Sequence, residues 1–352
     1  MGVVLLQALS YLTGCYDNSF MPIPKLISCT LLTLILPALH APAWSQPAWR
    51  PDKPVEIIVP TGASGINDTN ARLLQKSFQD LKLLPTPTLV NNKPGGNQSL
   101  AVVHLHQHPA DPHYLLYTTA TIFTNQIAGV TALSYTDFTP LALLLVDYSV
   151  ISVATNSPMK SLRDMIERLR ADPESLSFGV VARGGPNHLA AAQAMRSAGI
   201  DPKKLKMVVF KTNAESLTAV MGGHIHAVVS SVSAALPQVQ AGNVRMLGVT
   251  APQRIGGTGG SIANVPTFRE QGVDATGISN WRGILGAKHI TPAQIAFWED
   301  AIGKTITTAD WKKQLDSNNL ASRFMRSSEF AKYLEVEYNA TKATMSDVGL
   351  MK

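Results

Sequence analysis

From Trp49 onward, short unbroken apolar runs alternate with longer amphipathic stretches. Val55–Val59, Leu89–Val90, Tyr114–Tyr117, Val150–Val153, Leu176–Val181, Met207–Phe210, His226–Val229 and Val244–Thr250 read as strands, most of them apolar enough to be covered on both faces as in a parallel sheet. Between them lie helical segments. The first carries Ala71, Leu74, Phe78 and Leu81 on one face, and the others are placed over Leu100–His106, Ser157–Leu169, Leu189–Arg196, Glu215–Met221 and Ala234–Gln240, with helices again from Thr291 to the end. Such alternation predicts the α/β class, right-handed crossovers and mainly parallel sheets.

The ends of the strands carry the candidate chemistry. After Val59 and Pro60 come Thr61, Gly62, Ala63, Ser64 and Gly65, all small, followed by Asn67 and Asp68, either of which can cap a helix. A strand end that feeds a helix through a side-chain-poor turn leaves several N–H groups at the positive end of a dipole, where a carboxylate or phosphate binds. The same architecture returns in the second half of the chain as Ala182, Arg183, Gly184, Gly185, Pro186, Asn187 and His188 before an Ala-rich helix. Other strand ends close on small polar residues: Thr118 and Thr119, Thr212 and Asn213, Ser230 and Ser231.

Length, charge and cysteine usage narrow the class. The chain has 352 residues, enough for two domains, and 45% hydrophobic with 15% charged residues describes a packed globular protein. Its net charge of +6 comes from scattered Lys and Arg, with no basic run and no aromatic interleaving, so nucleic acid is not an expected partner. Residues 1–45 differ from the rest. Within them Met21 opens a lysine, an apolar core from Leu26 to Leu39, and Ala41-Pro42-Ala43, the form of a signal peptide cleaved after Ala43 or Ser45. Residues 1–20 hold no Lys or Arg, so Met21 is the expected start, although Leu12-Thr13-Gly14-Cys15 has the form of a lipoprotein box. Cys15 and Cys29 both fall in the removable part, leaving the exported protein without a thiol for a disulfide, a zinc site or a nucleophile.

Catalytic and metal readings find less support. Gly62-Ala63-Ser64-Gly65 is one residue short of a nucleophile elbow. His104, His106 and His108 alternate, as do His224 and His226, but the first set falls on a predicted helix, which brings only His104 and His108 together; surface histidines are expected, with no metal. Gly256–Gly260 lacks the flanking strand and helix of a dinucleotide fingerprint, and no cofactor is expected.

Eight fragments, in order, are similar to the solute-binding receptors of the tripartite tricarboxylate transporter family, the Bug receptors. They are PDKPVEIIVPTGASGINDTNARLL, NKPGGN, ADPHYLLYTT, SYTDFTPLALL, SFGVVARGGPNHLAA, FKTNAESLTAVMGGHIHAVVSSVSAALPQVQAGNVRMLGVT, NVPTFREQG and NWRGILGAKHITP, spanning Trp49 to about Trp298. The resemblance implies a two-lobed, type II-like Venus-flytrap fold, with residues 46–147 plus 271–352 as lobe 1 and 148–270 as lobe 2. It further implies a monomeric periplasmic receptor, not an enzyme, that closes on a small carboxylate and delivers it to an integral membrane permease. Affinity would come from the backbone of Thr61–Gly65 and Arg183–Asn187, with Asn67, Asp68, Thr118, Thr119, His188, Thr212, Asn213, Ser230 and Ser231 around them. The family usually has two glycines where Ser64-Gly65 stand, and a smaller or apolar residue where Arg183 stands. Ser230 lies where some relatives place an aspartate that can meet a ligand amine, which favours an acid without an amino group. An exported α/β hydrolase and a sensory ectodomain without transport are the competing readings.

Overall fold

In the computed structural model, the described residues are 49–351 apart from 211, 256–261, 276–277 and 319. The signal-peptide reading of residues 1–45 and the glycine cluster at 256–260 lie outside them. Strands β1 (Val55–Val59), β2 (Thr88–Asn92), β3 (Tyr114–Thr119), β4 (Thr139–Asp147), β10 (Asn280–Gly286) and β11 (Ala321–Arg326) form one six-stranded sheet, in the order β11-β4-β10-β3-β1-β2. A second sheet of five is ordered β7-β6-β8-β5-β9, from β5 (Ser149–Ala154), β6 (Ser177–Val180), β7 (Lys206–Val209), β8 (Ala227–Ser231) and β9 (Val244–Val249). The two-lobed α/β fold is thus present.

Both sheets are mixed, which corrects the expectation of mainly parallel ones. β2, β1 and β3 run parallel, whereas β10 is antiparallel to β3 and β4, and β11 to β4. In the second sheet β7, β6 and β8 are parallel and β5 is antiparallel to both β8 and β9. The reason is topological. The chain leaves the first sheet along β4, passes Tyr148 and enters the second along β5; it returns along β10, which therefore runs against β4. Buried strands read as continuous apolar runs whichever way their neighbours point, so the pattern could not reveal this.

The helices are α1 (Ile66–Asp80), α2 (Ser99–His106), α3 (Thr121–Ile127), α4 (Leu162–Ala171), α5 (Pro186–Ser197), α6 (Asn213–Met221), α7 (Val232–Gln240), α8 (Pro292–Ile306), α9 (Ala309–Asn318) and α10 (Ser327–Asp347). Two sequence expectations shift. α4 starts after Ser161 and not at Ser157, because Ser161 and Asp164 form a reciprocal capping box that fixes the first turn. The tail is not helical throughout: β11 interrupts it as a short edge strand, mostly exposed or half-buried, whose side chains give no clear period.

One core fills the first sheet's faces, with Trp281, Trp298 and Trp311 fully buried, and two clusters cover the two faces of the second. Leu189, Ala190 and Ala192 of α5 belong to the first core although α5 flanks the second sheet. α10 meets α5, where Arg196 pairs with Asp347. Among the described residues no helix is long and apolar enough to cross a membrane.

Candidate functional site

The two turns singled out in the sequence have one backbone design. In the first, Ser64 takes a left-handed conformation (φ 66°) and Gly65 is the extended N-cap of α1 (φ −76°, ψ 167°). In the second, Gly184 is left-handed (φ 79°) and Gly185 is the extended N-cap of α5 (φ −72°, ψ 164°). Each turn is clasped from the residue four positions on. The Ser64 N–H donates to Asp68 Oδ2 at 2.9 Å, and the Gly184 N–H donates to His188 Nδ1 at 2.8 Å. Since a backbone N–H can only donate, His188 carries its ring proton on Nε2.

Asp68 is buried, and burial pushes its carboxyl up; Arg72, the Ser64 N–H and Asn92 together outweigh that and hold it below the usual range. Its Oδ2 takes Arg72 Nε at 2.9 Å and its Oδ1 takes Asn92 Nδ2 at 3.0 Å. His188 is buried with no countercharge, and burial, helped by Arg183, lowers it to about 4, so the imidazole is neutral at neutral pH.

Both turns converge on the crossover between the sheets. Asn187, in the first turn of α5, accepts from Ser149 Oγ at 2.7 Å. Asn67, at the matching position of α1, accepts from Arg282 Nε at 3.1 Å, and Arg282 Nη2 stands 3.7 Å from Asp147 Oδ2. Asp147 and Ser149 flank Tyr148, so two asparagines in equivalent places are tied to the same three residues. From the first turn of α7, Ser233 Oγ donates to Asp147 at 2.7 Å and lies 3.0 Å from the Oγ of Ser231 at the end of β8. Burial pushes the Asp147 carboxyl up, against the pull of Arg282 and Ser233. The other crossover is held by Glu337 of α10, which accepts from the Ser279 N–H and Oγ, both at 3.2 Å. Burial raises this carboxyl to about 7, opposed by Tyr333, Ser279 and Arg323.

The remaining sequence candidates divide. Thr119 donates to Gln98 at 3.0 Å and Thr212 caps α6 by accepting from the Glu215 N–H at 3.1 Å, so both hydroxyls serve the fold. Ser230 is fully buried and bonds the Ser231 carbonyl at 3.3 Å. Thr118 is buried at the end of β3, in register with Gly283. Thr61 Oγ1 and Asn213 Oδ1 are buried and have no hydrogen-bond partner among the described residues. Arg183 is exposed and makes no hydrogen bond among the described residues. Among the described residues no three His, Cys, Asp or Glu side chains gather as metal ligands. His104 bonds Glu56 at 2.9 Å, a carboxylate too far off in sequence for spacing to reveal, and stands edge-on to His108.

Sequence reasoning passed over Arg282, Asp147, Ser149 and Ser233. A signal was available for the first two: each is a lone charge within or at the end of an otherwise apolar strand, LALLLVD and NWRGILG, and charge at a core position is rarely left unpaired.

A family model described as "Tripartite tricarboxylate transporter family receptor" matches residues 71–350. A Cupriavidus necator protein known as a UPF0065 protein in the gbd 5' region is 24% identical over 88% of this chain and 92% of its own length. A solute-binding protein from Polaromonas, solved without ligand, superposes with a TM-score of 0.73 at 25% identity, covering 84% of this chain and 99% of that one. An R. palustris protein, Rpa4515, solved with adipate, superposes at 0.70 with 22% identity over 85% and 98%.

Proposed function

Because the chain belongs to the tripartite tricarboxylate transporter receptor family, we propose that it is a periplasmic receptor that captures a small carboxylate between its lobes and hands it to a membrane permease. The lobes are residues 46–147 plus 271–352 and residues 148–270, and the region before residue 46 is the export signal. The observation that carries the reading is the convergence of two helix N-termini, one from each sheet, on the Asp147–Ser149 crossover. In the first turn the N–H groups of Gly62, Ala63, Gly65, Ile66 and Asn67 meet no protein acceptor among the described residues, and such a field of donors suits an anion. A site at the junction of two lobes is where small-molecule ligands are commonly held, and closure about the crossovers would report occupancy. That a structural neighbour was solved with adipate agrees with an acid as cargo.

Ligand binding with no turnover is expected. A thermal-shift screen across mono-, di- and tricarboxylates, aromatic acids and sugars tests the assignment, since a ligand of the folded state raises the melting temperature in proportion to its occupancy. Hits among sugars with none among acids would reject it. Loss of uptake on deleting the neighbouring permease supports transport; uptake that survives points to a sensory role.

A further inference from the structure

We propose that Arg282 is a ligand-contacting residue, its Nη2 edge taking an oxygen of the bound carboxylate beside the first turn of α1 while Asp147 stands as the resident anion behind it. This rests on the carboxylate reading above and adds a cation to a site so far built from backbone donors.

The argument begins with hydrogen-bonding capacity. A guanidinium has five N–H donors and cannot lose its charge. Arg282 is only 6% exposed, yet two of its donors are used: Nε on Asn67 Oδ1 at 3.1 Å and Nη1 on the Asn280 carbonyl at 2.9 Å. Nη2 is 3.7 Å from Asp147, an ion-pair distance beyond hydrogen-bond range. Asp147 is engaged elsewhere, by Ser233 Oγ at 2.7 Å. It balances the charge without taking the hydrogens, so three N–H groups have no protein acceptor among the described residues. A buried cation left in that state is costly unless something else completes it.

The position of Arg282 says what that something is. Nε is bonded to the side chain of Asn67, whose own backbone N–H is among the open donors of the first turn. Guanidinium and open amides therefore belong to one donor field, and the planar fork suits a carboxylate. Asp147 sets a limit on the guest. A buried carboxylate just past the cation repels a second negative group close to the first, so the favoured cargo carries a single charge at this end. Any second charge must lie far from this end of the ligand. Linear monoacids and α,ω-diacids meet that condition, and a compact tricarboxylate such as citrate does not.

Isothermal titration of the full exported chain at neutral pH, with glutarate, adipate, benzoate and citrate as probes, tests the assignment. Arg282→Gln is expected to weaken the best-bound acid about 100-fold, and Arg282→Lys about 10-fold, since the ammonium keeps the charge opposite Asp147 but not the fork. Asp147→Asn is expected to tighten binding by about 3- to 10-fold and to admit citrate, because it removes the competing anion. A purely structural ion pair predicts the reverse for Asp147→Asn: lower melting temperature with unchanged or weaker binding. Affinity within about twofold of wild type in Arg282→Lys, or no gain in Asp147→Asn, overturns the proposal. If Arg282→Gln does not fold by circular dichroism, the other two variants decide. Wild-type protein that binds none of the acids sinks the carboxylate reading itself; wild-type binding with indifferent variants sinks only the role of Arg282.

Discussion

The turn before α1 and the turn before α5 share a backbone and differ in what they can offer. In the first, one N–H is spent on the Asp68 clasp and five others are open. In the second, the Gly184 N–H is spent on His188, the Gly185 N–H bonds Ala182 O at 3.2 Å, and Pro186 has no N–H at all. Among the described residues that leaves the N–H groups of Ala182, Arg183 and Asn187 open, so the same fold motif yields three open donors in one lobe against five in the other. Arg282 is tied into the first by Asn67, whereas the second has only the exposed Arg183. On the proposed carboxylate reading, the charged pole of the ligand is expected at the first turn, with the second acting mainly as a closing surface. Backbone likeness between two turns is not equivalence of function, because a proline or a side-chain clasp removes donors without moving the chain.

The strongest challenge to this comparison is Gly65→Asp. A Cβ at Gly65 meets nothing closer than 3.7 Å and the backbone is extended, so the fold should accept it, and Asp is a favoured N-cap. Its carboxylate would stand in the donor field. Binding should fall about 1,000-fold, ~4 kcal/mol, with the melting temperature unchanged or slightly raised; calorimetry showing retained affinity would move the anion away from α1.

His188, which clasps the second turn, and Glu337, which holds the return crossover, respond to pH in opposite directions. His188 has a folded pKa near 4, below the 6.5 of an unfolded histidine, so its contribution is complete above pH 6.5 and is lost as pH falls toward 4. Glu337 is raised to about 7 from 4.5, so its contribution is complete below 4.5 and is lost as pH rises through 7. Each amounts to about 3 kcal/mol, and the two oppose one another between pH 4.5 and 6.5. Urea denaturation across pH 4–8 should show stability that falls with acid in Glu337→Gln and rises with acid in His188→Asn. Parallel curves for the two variants would refute the assignment.

Smaller effects sharpen the asymmetry. Arg183→Ala should weaken a linear diacid by about threefold or less and leave a monoacid unaffected, since an exposed cation is well screened. Ser64→Gly should relieve a left-handed side chain at the cost of a freer unfolded chain, a net gain of up to about 1 kcal/mol measured by melting temperature. A loss of stability would mean that the Ser64 hydroxyl contributes more than its backbone costs.

The local pattern determined a good deal alone. Most strands and helices and the two small-residue turns were readable because apolar period and glycine act over a few positions, but the cap of α1 falls on Gly65 and not on Asn67 or Asp68, which lie inside the first helical turn. The pattern could not say which way β4 and β10 run, since a strand buried on both faces looks alike in either direction, nor that β11 interrupts the terminal helices. Only the tertiary structure decided which donors stay open. The Asp68 and His188 clasps join residues four apart and were present in the sequence, but nothing marked them as hydrogen bonds. The Asn67–Arg282–Asp147–Ser233 chain joins residues far apart. Its members stood out only as lone charges beside apolar runs, because electrostatic pairing is a matter of distance in space and carries no period along the chain.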